Sequence, residues 1–322
     1  MSSAPPRVSL QVLGRRLTAS GVDDGIARWL AHHWDQPDHR VQPHPFTIDV
    51  RCAPRPEVTA AYFDHLPERH ASGAEGATPR LTTSVDGSAS VLLGSRSGGA
   101  HLEIAVDGAV MHAWGVQGTW APGRWPLLLA IHEAVRASGL LPLHCAAAVR
   151  PGDDGATAFL GPSGVGKSTT LVTLAQAGWA PVCEDYAWLD PASMRLHAWD
   201  HGLRLLPDAL ERLGPPFTLT TGEPSAEKRA VAYEELAERY GVERLASARL
   251  QRLAWLVRDG GPSRWDALPR VAAVPVLWEA IGLPLTEPAR RLVADHIAEL
   301  VSSLELRTLR LGTTPLSVVE AP

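Results

Sequence analysis

The apolar run ATAFL at 156–160, the turn Gly161-Pro162-Ser163-Gly164-Val165-Gly166-Lys167-Ser168 and the following TTLVTLAQA leave this chain few folds to choose from. A strand, a glycine-rich turn and a helix succeed one another without a spacer, which is a βα unit and points to the α/β class. The spacing G-x-x-x-x-G-K-S also has a chemical reading. Glycines let successive backbone N–H groups turn inward as an anion nest, and the start of the helix adds its positive end. Lys167 supplies a point charge for β- and γ-phosphates, and Ser168 a hydroxyl for Mg²⁺. The pattern implies a nucleoside-triphosphate site built from Gly161 through Thr169.

Lysine usage sharpens that reading. Of 30 basic residues in the 322-residue chain only Lys167 and Lys228 are lysine, and one of them occupies the position where the pattern requires it. The remaining composition excludes other classes. A 45% apolar and 20% charged chain is that of a globular protein, and a net charge of -5 offers no electrostatic case for nucleic acid or an anionic membrane as partner. No run of eighteen apolar residues is present, and the start MSSAPPRVSLQVLGRR lacks a signal-like apolar stretch, so a cytoplasmic location is expected. Cys52, Cys145 and Cys183 have neither disulfide-framework nor metal-ligand spacing.

Along the chain, 22–34 has helical spacing of apolar residues behind two acids. Between about 46 and 118 short alternating runs flank Asp86-Gly87 and Asp107-Gly108, the signature of hairpins. Residues 124–138 predict a helix closed by Gly139, then LPLHCAAAV a strand over 141–149, and APVCEDYAWL a strand over 180–189 paired with MRLHAW. Gly178 stands where a helix C-cap is needed. Later elements are a charged helix near 225–240, a strand LQRLAWLV, an amphipathic helix near 286–302 and a terminal strand LELRTLRL.

A phosphate cradle does not say what becomes of the γ-phosphate, so other residues must. Glu184-Asp185 places two adjacent acids at the end of a short apolar strand. Neighbouring strand residues point to opposite faces, but a backbone turn at the strand end can bring both to metal and phosphate. One acid can then hold Mg²⁺ while the other takes the proton of an attacking hydroxyl; the competing reading makes one of them a solvated turn residue. His144 lies on an apolar strand, where a histidine is more often a satisfied core residue than a catalytic one. Pairing of 141–149 with 156–160 across Asp153-Asp154 would nevertheless set it beside Gly161.

LPLHCAAAV, FLGPSGVGKSTTL and AGWAPVCEDYAWL together resemble the catalytic core of HPr kinase/phosphorylase and of the smaller HPr-kinase-related proteins that accompany peptide natural-product clusters, lasso-peptide kinases among them. The agreement is close over about 141–200 and weaker through HGLRLLPDAL and AEKRAV to LELRTLRLG. The family order is a histidine on a small-residue strand, the loop, a helix ending in Gly-aromatic, and an acid pair; here these are His144, Gly161 to Thr169, Gly178-Trp179 and Glu184-Asp185. The resemblance implies that His144 and one acid assist proton transfer, with Glu184 assigned as base and Lys167 acting on the transferred phosphate. Ser168 and Asp185 are then the metal ligands. Glu184 stands where the bifunctional HPr enzymes have aspartate. Nothing matches their Glu-x-Arg-Gly-x-Gly loop, so phosphorolysis and HPr as substrate are not expected.

Lys228, beside Arg229, lies where related kinases keep a basic pair, and Arg204 is a further candidate for phosphate or substrate contact; either could equally be a surface cation. The expected fold is α/β, a β-rich N-terminal module over 1–122 and an HPr-kinase/PEP-carboxykinase-like P-loop nucleotide-binding domain over 123–322. The expected activity is transfer of the γ-phosphoryl group of ATP, or GTP, with Mg²⁺, to a hydroxyl. The acceptor expected from the resemblance is a peptide or protein serine, with a small-molecule hydroxyl close behind and a regulatory ATPase without acceptor as the reading of another class. No nucleic-acid or membrane partner is expected, and a homo-oligomer follows by resemblance alone.

Overall fold

The computed structural model describes residues 7–35, 41–52, 80–83, 88–94, 97–118, 121–207, 210 and 229–312. Contacts divide the chain into two mixed α/β units, one of Met1–Gly139 with Pro284–Val293 and one of Leu140–Leu283 with Ala294–Pro322.

The first unit is built on β1 (Arg7–Val12), β2 (Arg15–Ser20), α1 (Asp24–Trp34), β3 (Thr47–Cys52), β4 (Arg80–Thr83), β5 (Ala89–Gly94), β6 (Gly99–Ile104), β7 (Gly108–Trp114) and α2 (Arg124–Ala137). Its seven strands lie in the order β1-β2-β3-β7-β6-β5-β4. β3 shows why one face is inside: Ile48, Val50 and Cys52 are buried, while Thr47, Asp49 and Arg51 alternate to the other side. Asp23 caps α1 by accepting the N–H of Ile26 at 2.8 Å, and Ile26, Leu30 and Trp34 bury one stripe of that helix. β6 and β7 pair through the turn before Gly108, as the Asp107-Gly108 pattern predicts. Asp86-Gly87 lies outside the described residues, between the paired β4 and β5. α2 buries Leu127, Ala130, Ile131 and Ala134 and packs on β5, β6 and β7.

The second unit carries β8 (Leu141–Leu143), β9 (Ala146–Val149), β10 (Gly155–Leu160), α3 (Lys167–Gln176), β11 (Ala180–Cys183), β12 (Ala187–Asp190), β13 (Arg195–Ala198), β14 (Leu203–Leu205), β15 (Arg229–Val231), α4 (Glu234–Tyr240), β16 (Ser247–Arg258), β17 (Arg264–Ala267), α5 (Arg270–Ile281) and β18 (Glu305–Leu311). A further helix, α6 (Glu287–Ser303), crosses the division at Val293. The large sheet runs β11-β9-β10-β16-β13-β12-β8, with β18 on the later part of β16 and β17 on β18. In a flat sheet β8 and β9 would be five strand spacings apart, about 24 Å. Only His144 and Cys145 join them, a reach of about 11 Å. The sheet therefore curls until β8 returns beside β9.

Two expected strands are thus each broken in the middle. The segments 141–149 and 180–190 run antiparallel to one another, with Leu143 opposite Ala187 on one side of the break and Ala147 opposite Cys183 on the other. Between these pairs lie His144, Cys145 and Ala146 on one segment and Glu184, Asp185 and Tyr186 on the other. Ala146, Ala147 and Ala148 are fully buried, and their small side chains let α3 settle on β9 with Leu171, Val172 and Ala175 inside. Phe159, Trp179, Leu205, Val231 and Tyr233 complete this core. Burial of each large side chain there contributes about 1.5–3 kcal/mol, which holds the glycine turn at the top of β10 on a rigid base. Among the described residues no helix is long and apolar enough to cross a membrane.

Candidate functional site

The turn between β10 and α3 is held open by glycine. Gly166 has φ +115°, and a Cβ there would stand 3.0 Å from a terminal nitrogen of Arg258. Gly161 has φ +152°, and its Cβ would press Val165 Cγ1 at 2.9 Å. Arg258, from the end of β16, donates its Nε–H to the Val165 carbonyl at 2.7 Å and so braces the turn. Pro162, Ser163 and Gly164 form its exposed crest. The Lys167 ammonium donates to the carbonyls of Gly161 and Pro162, at 2.7 and 3.4 Å. Thr169 sits in the first turn of α3, where its carbonyl accepts the Thr173 hydroxyl at 2.9 Å. Far from the turn, α3 ends in a Schellman pair, Gly178 N–H to Ala175 O and Trp179 N–H to Leu174 O, both 3.0 Å.

The broken strands deliver the two acids to different neighbours. Ser168 Oγ donates to Glu184 Oε1, and the other carboxylate oxygen of Glu184 accepts the Arg204 N–H at 3.2 Å. Glu184 is only 1% exposed. Asp185 faces the other way across the break. Its Oδ1 lies 3.3 Å from His144 Nδ1, and its Oδ2 pairs with the Arg204 guanidinium. These side chains are open to solvent: 20% exposed for Asp185, 44% for His144 and 56% for Arg204. His144 is fixed through its backbone N–H, which donates to the Ala280 carbonyl of α5 at 2.9 Å. Glycine turn, Ser168, Glu184, Asp185, His144 and Arg204 thus share one end of the second unit. Lys228 lies outside the described residues.

Three residues with no motif around them complete the site. Asp200 accepts the backbone N–H groups of both Glu184 and Asp185 on one oxygen, the second at 2.9 Å. Its Oδ1 takes Arg244 Nη2 at 2.7 Å and the Tyr233 hydroxyl at 3.1 Å. Burial pushes the Asp200 carboxyl up, opposed by Arg244 and by the two backbone donors. The Tyr233 phenol is raised well above its ordinary value, first by burial and then by the Asp200 charge. Beneath the break, Cys145 and Cys183 bring their sulfurs to 3.8 Å, and burial pushes the Cys183 thiol up so that it stays protonated.

The arrangement can hold an anion chain and a divalent cation side by side. The turn and the start of α3 offer backbone N–H groups and an ammonium. Ser168 with Glu184 offers a hydroxyl and a carboxylate, the oxygen donors that Mg²⁺ takes. No family model and no curated protein matches the chain. Among solved structures, the HPr(Ser) kinase/phosphatase from Coxiella burnetii overlaps 55% of this chain and 89% of its own, at 13% sequence identity and a TM-score of 0.26.

Proposed function

We propose that the second unit transfers the γ-phosphoryl group of ATP, bound with Mg²⁺, to a hydroxyl, the acceptor being a serine of a peptide or protein. The observation that carries this is the separation of the two acids. Glu184 is buried on Ser168 at the mouth of the glycine turn, and Asp185 is partly exposed on His144. A protein that only bound nucleotide would need only the first of these; the second is placed to take the proton of an attacking oxygen, and the label-transfer test separates a hydroxyl from water as its source.

In this reading Lys167 leaves the loop carbonyls for the β- and γ-phosphates, and the N–H groups of the turn and of the first turn of α3 cradle them. The metal ion supplies charge neutralisation and orients the phosphates when bound. Glu184 and Ser168 would hold it. Asp185, steadied by His144, accepts the proton as the acceptor oxygen bonds to the γ-phosphorus and the bond to the β-phosphate oxygen breaks, releasing ADP. Arg204 shares the charge on Asp185 and meets the transferring phosphate. The two acids therefore exchange the roles expected from the sequence: burial on Ser168 suits Glu184 to the metal, and exposure suits Asp185 to the proton.

The test incubates the full chain with γ-labelled ATP and Mg²⁺ against serine-bearing peptides and small hydroxyl compounds. Label should pass to an acceptor with the wild type and not with Asp185→Asn. Release of inorganic phosphate alone, whatever acceptor is offered, would refute the transferase reading in favour of a regulatory ATPase.

A further inference from the structure

Asp200 is the carboxylate on which the backbones of both acids rest. In an unbroken strand the N–H groups of adjacent residues point to opposite sides, and so do their side chains. Here the N–H groups of Glu184 and Asp185 converge on one oxygen, Asp200 Oδ2. That convergence requires the backbone to turn at the break, and such a turn brings both side chains toward the glycine turn, Glu184 onto Ser168 and Asp185 onto His144.

The anchor is itself held by two side chains. Arg244 Nη2 bridges the Asp200 side chain and its own carbonyl, each at 2.7 Å, and Arg244 Nε donates to the Val182 carbonyl at 3.1 Å, at the end of β11. Tyr233 donates its hydroxyl to both Asp200 oxygens, at 3.1 and 3.2 Å, and its ring lies 4.2 Å below the Arg244 guanidinium. Such a cluster is a poor device for stability alone. A largely buried ion pair costs several kcal/mol per ion in desolvation, and well-packed apolar residues serve as well or better. What apolar residues cannot do is accept two converging backbone N–H groups.

We infer that Asp200, fixed by Arg244 and Tyr233, is a positioning residue that sets the aim of Glu184 and Asp185, and through Glu184 the Mg²⁺ dependence of nucleotide binding. The second half of this statement rests on the function proposed above; the first half does not.

The experiment uses the full-length Asp200→Asn chain, in which one amide oxygen replaces two carboxylate oxygens and the ion pair is lost. Amide hydrogen exchange is followed at residues 184 and 185 in the ligand-free protein, and ATP binding is titrated with and without Mg²⁺. The inference predicts at least tenfold faster exchange at those two amides with β10 unchanged. It also predicts ATP binding without metal equal to wild type, and a Mg²⁺ enhancement reduced about 10–100-fold, the usual loss on removing a partner that orients a metal ligand. Tyr233→Phe keeps the ring against Arg244 and removes one donor. It should shift both readouts the same way by less, and it decides the question if Asp200→Asn does not fold. Wild-type exchange rates at 184 and 185 in a folded variant would overturn the inference, as would fast exchange with an intact Mg²⁺ enhancement. If the wild type binds no ATP, the proposed function fails, and the exchange rates alone still decide whether Asp200 holds the acids.

Discussion

Glu184 and Asp185 are adjacent in the chain and alike in chemistry, yet one is sealed against Ser168 and the other is partly exposed between His144 and Arg204. Their substitutions should therefore separate. Glu184→Gln is predicted to abolish the Mg²⁺ enhancement of ATP binding while leaving metal-free binding intact. Asp185→Asn should keep Mg²⁺-dependent binding and lose transfer by about 10²–10⁴-fold, the usual worth of a positioned base. Calorimetric titration and label transfer check the two halves. The turn between β10 and α3 was readable from the sequence because its glycines fall where the backbone takes positive φ, at Gly161, Gly164 and Gly166. Which acid does which was not, because it depends on where the backbone turns. Asp200, Tyr233 and Arg244 carry no spacing signal at all: they are 44 residues apart at the extremes, and only the fold makes them neighbours.

At the scale of elements, the segments 141–149 and 180–189 have the apolar texture of continuous strands, and the structure breaks both. Apolar texture reports burial, and Cys145 and Glu184 are indeed buried within the break, although His144 and Asp185 beside them are partly exposed. It does not report hydrogen-bond partners. The partner of the first segment changes from β12 to β10 and β11 within three residues, because the sheet curls. α5 was illegible for another reason. Pro275 interrupts an apolar run and argues against a helix. The helix tolerates it because the carbonyl left without a donor belongs to Val271, which is 82% exposed and open to water. By contrast, the end of α3 was legible at Gly178, whose φ of +85° only glycine adopts without strain. Among the described residues a Cβ there would meet only Pro151, at an ordinary 3.6 Å. Gly178→Ala is thus predicted to destabilise through backbone strain alone, by about 1 kcal/mol or somewhat more, measured as a lowered midpoint of denaturant unfolding with no loss of metal-free ATP affinity.

At the scale of the molecule, each of the two units offers its own measurement. In the first, His132 is packed edge-on to Trp34, and burial, followed by the charges of Arg136 and His33, lowers its pKa to about 3. The folded unit keeps this imidazole neutral, whereas the unfolded chain takes up a proton near pH 6.5. The resulting stability is present in full above that value and is lost as pH falls from about 6.5 toward 3. His132→Gln should flatten the fall in calorimetric unfolding temperature over the upper part of this window. In the second unit everything proposed depends on the glycine turn and the strand break acting together on one nucleotide. Titration of ATP into the full chain, with and without Mg²⁺, tests that most directly. The wild type should bind ATP and bind it more tightly with Mg²⁺, Lys167→Ala should bind neither form, and Glu184→Gln should bind ATP with no response to the metal. A wild-type chain that binds no ATP, or a Glu184→Gln variant with an undiminished response to Mg²⁺, would contradict the account.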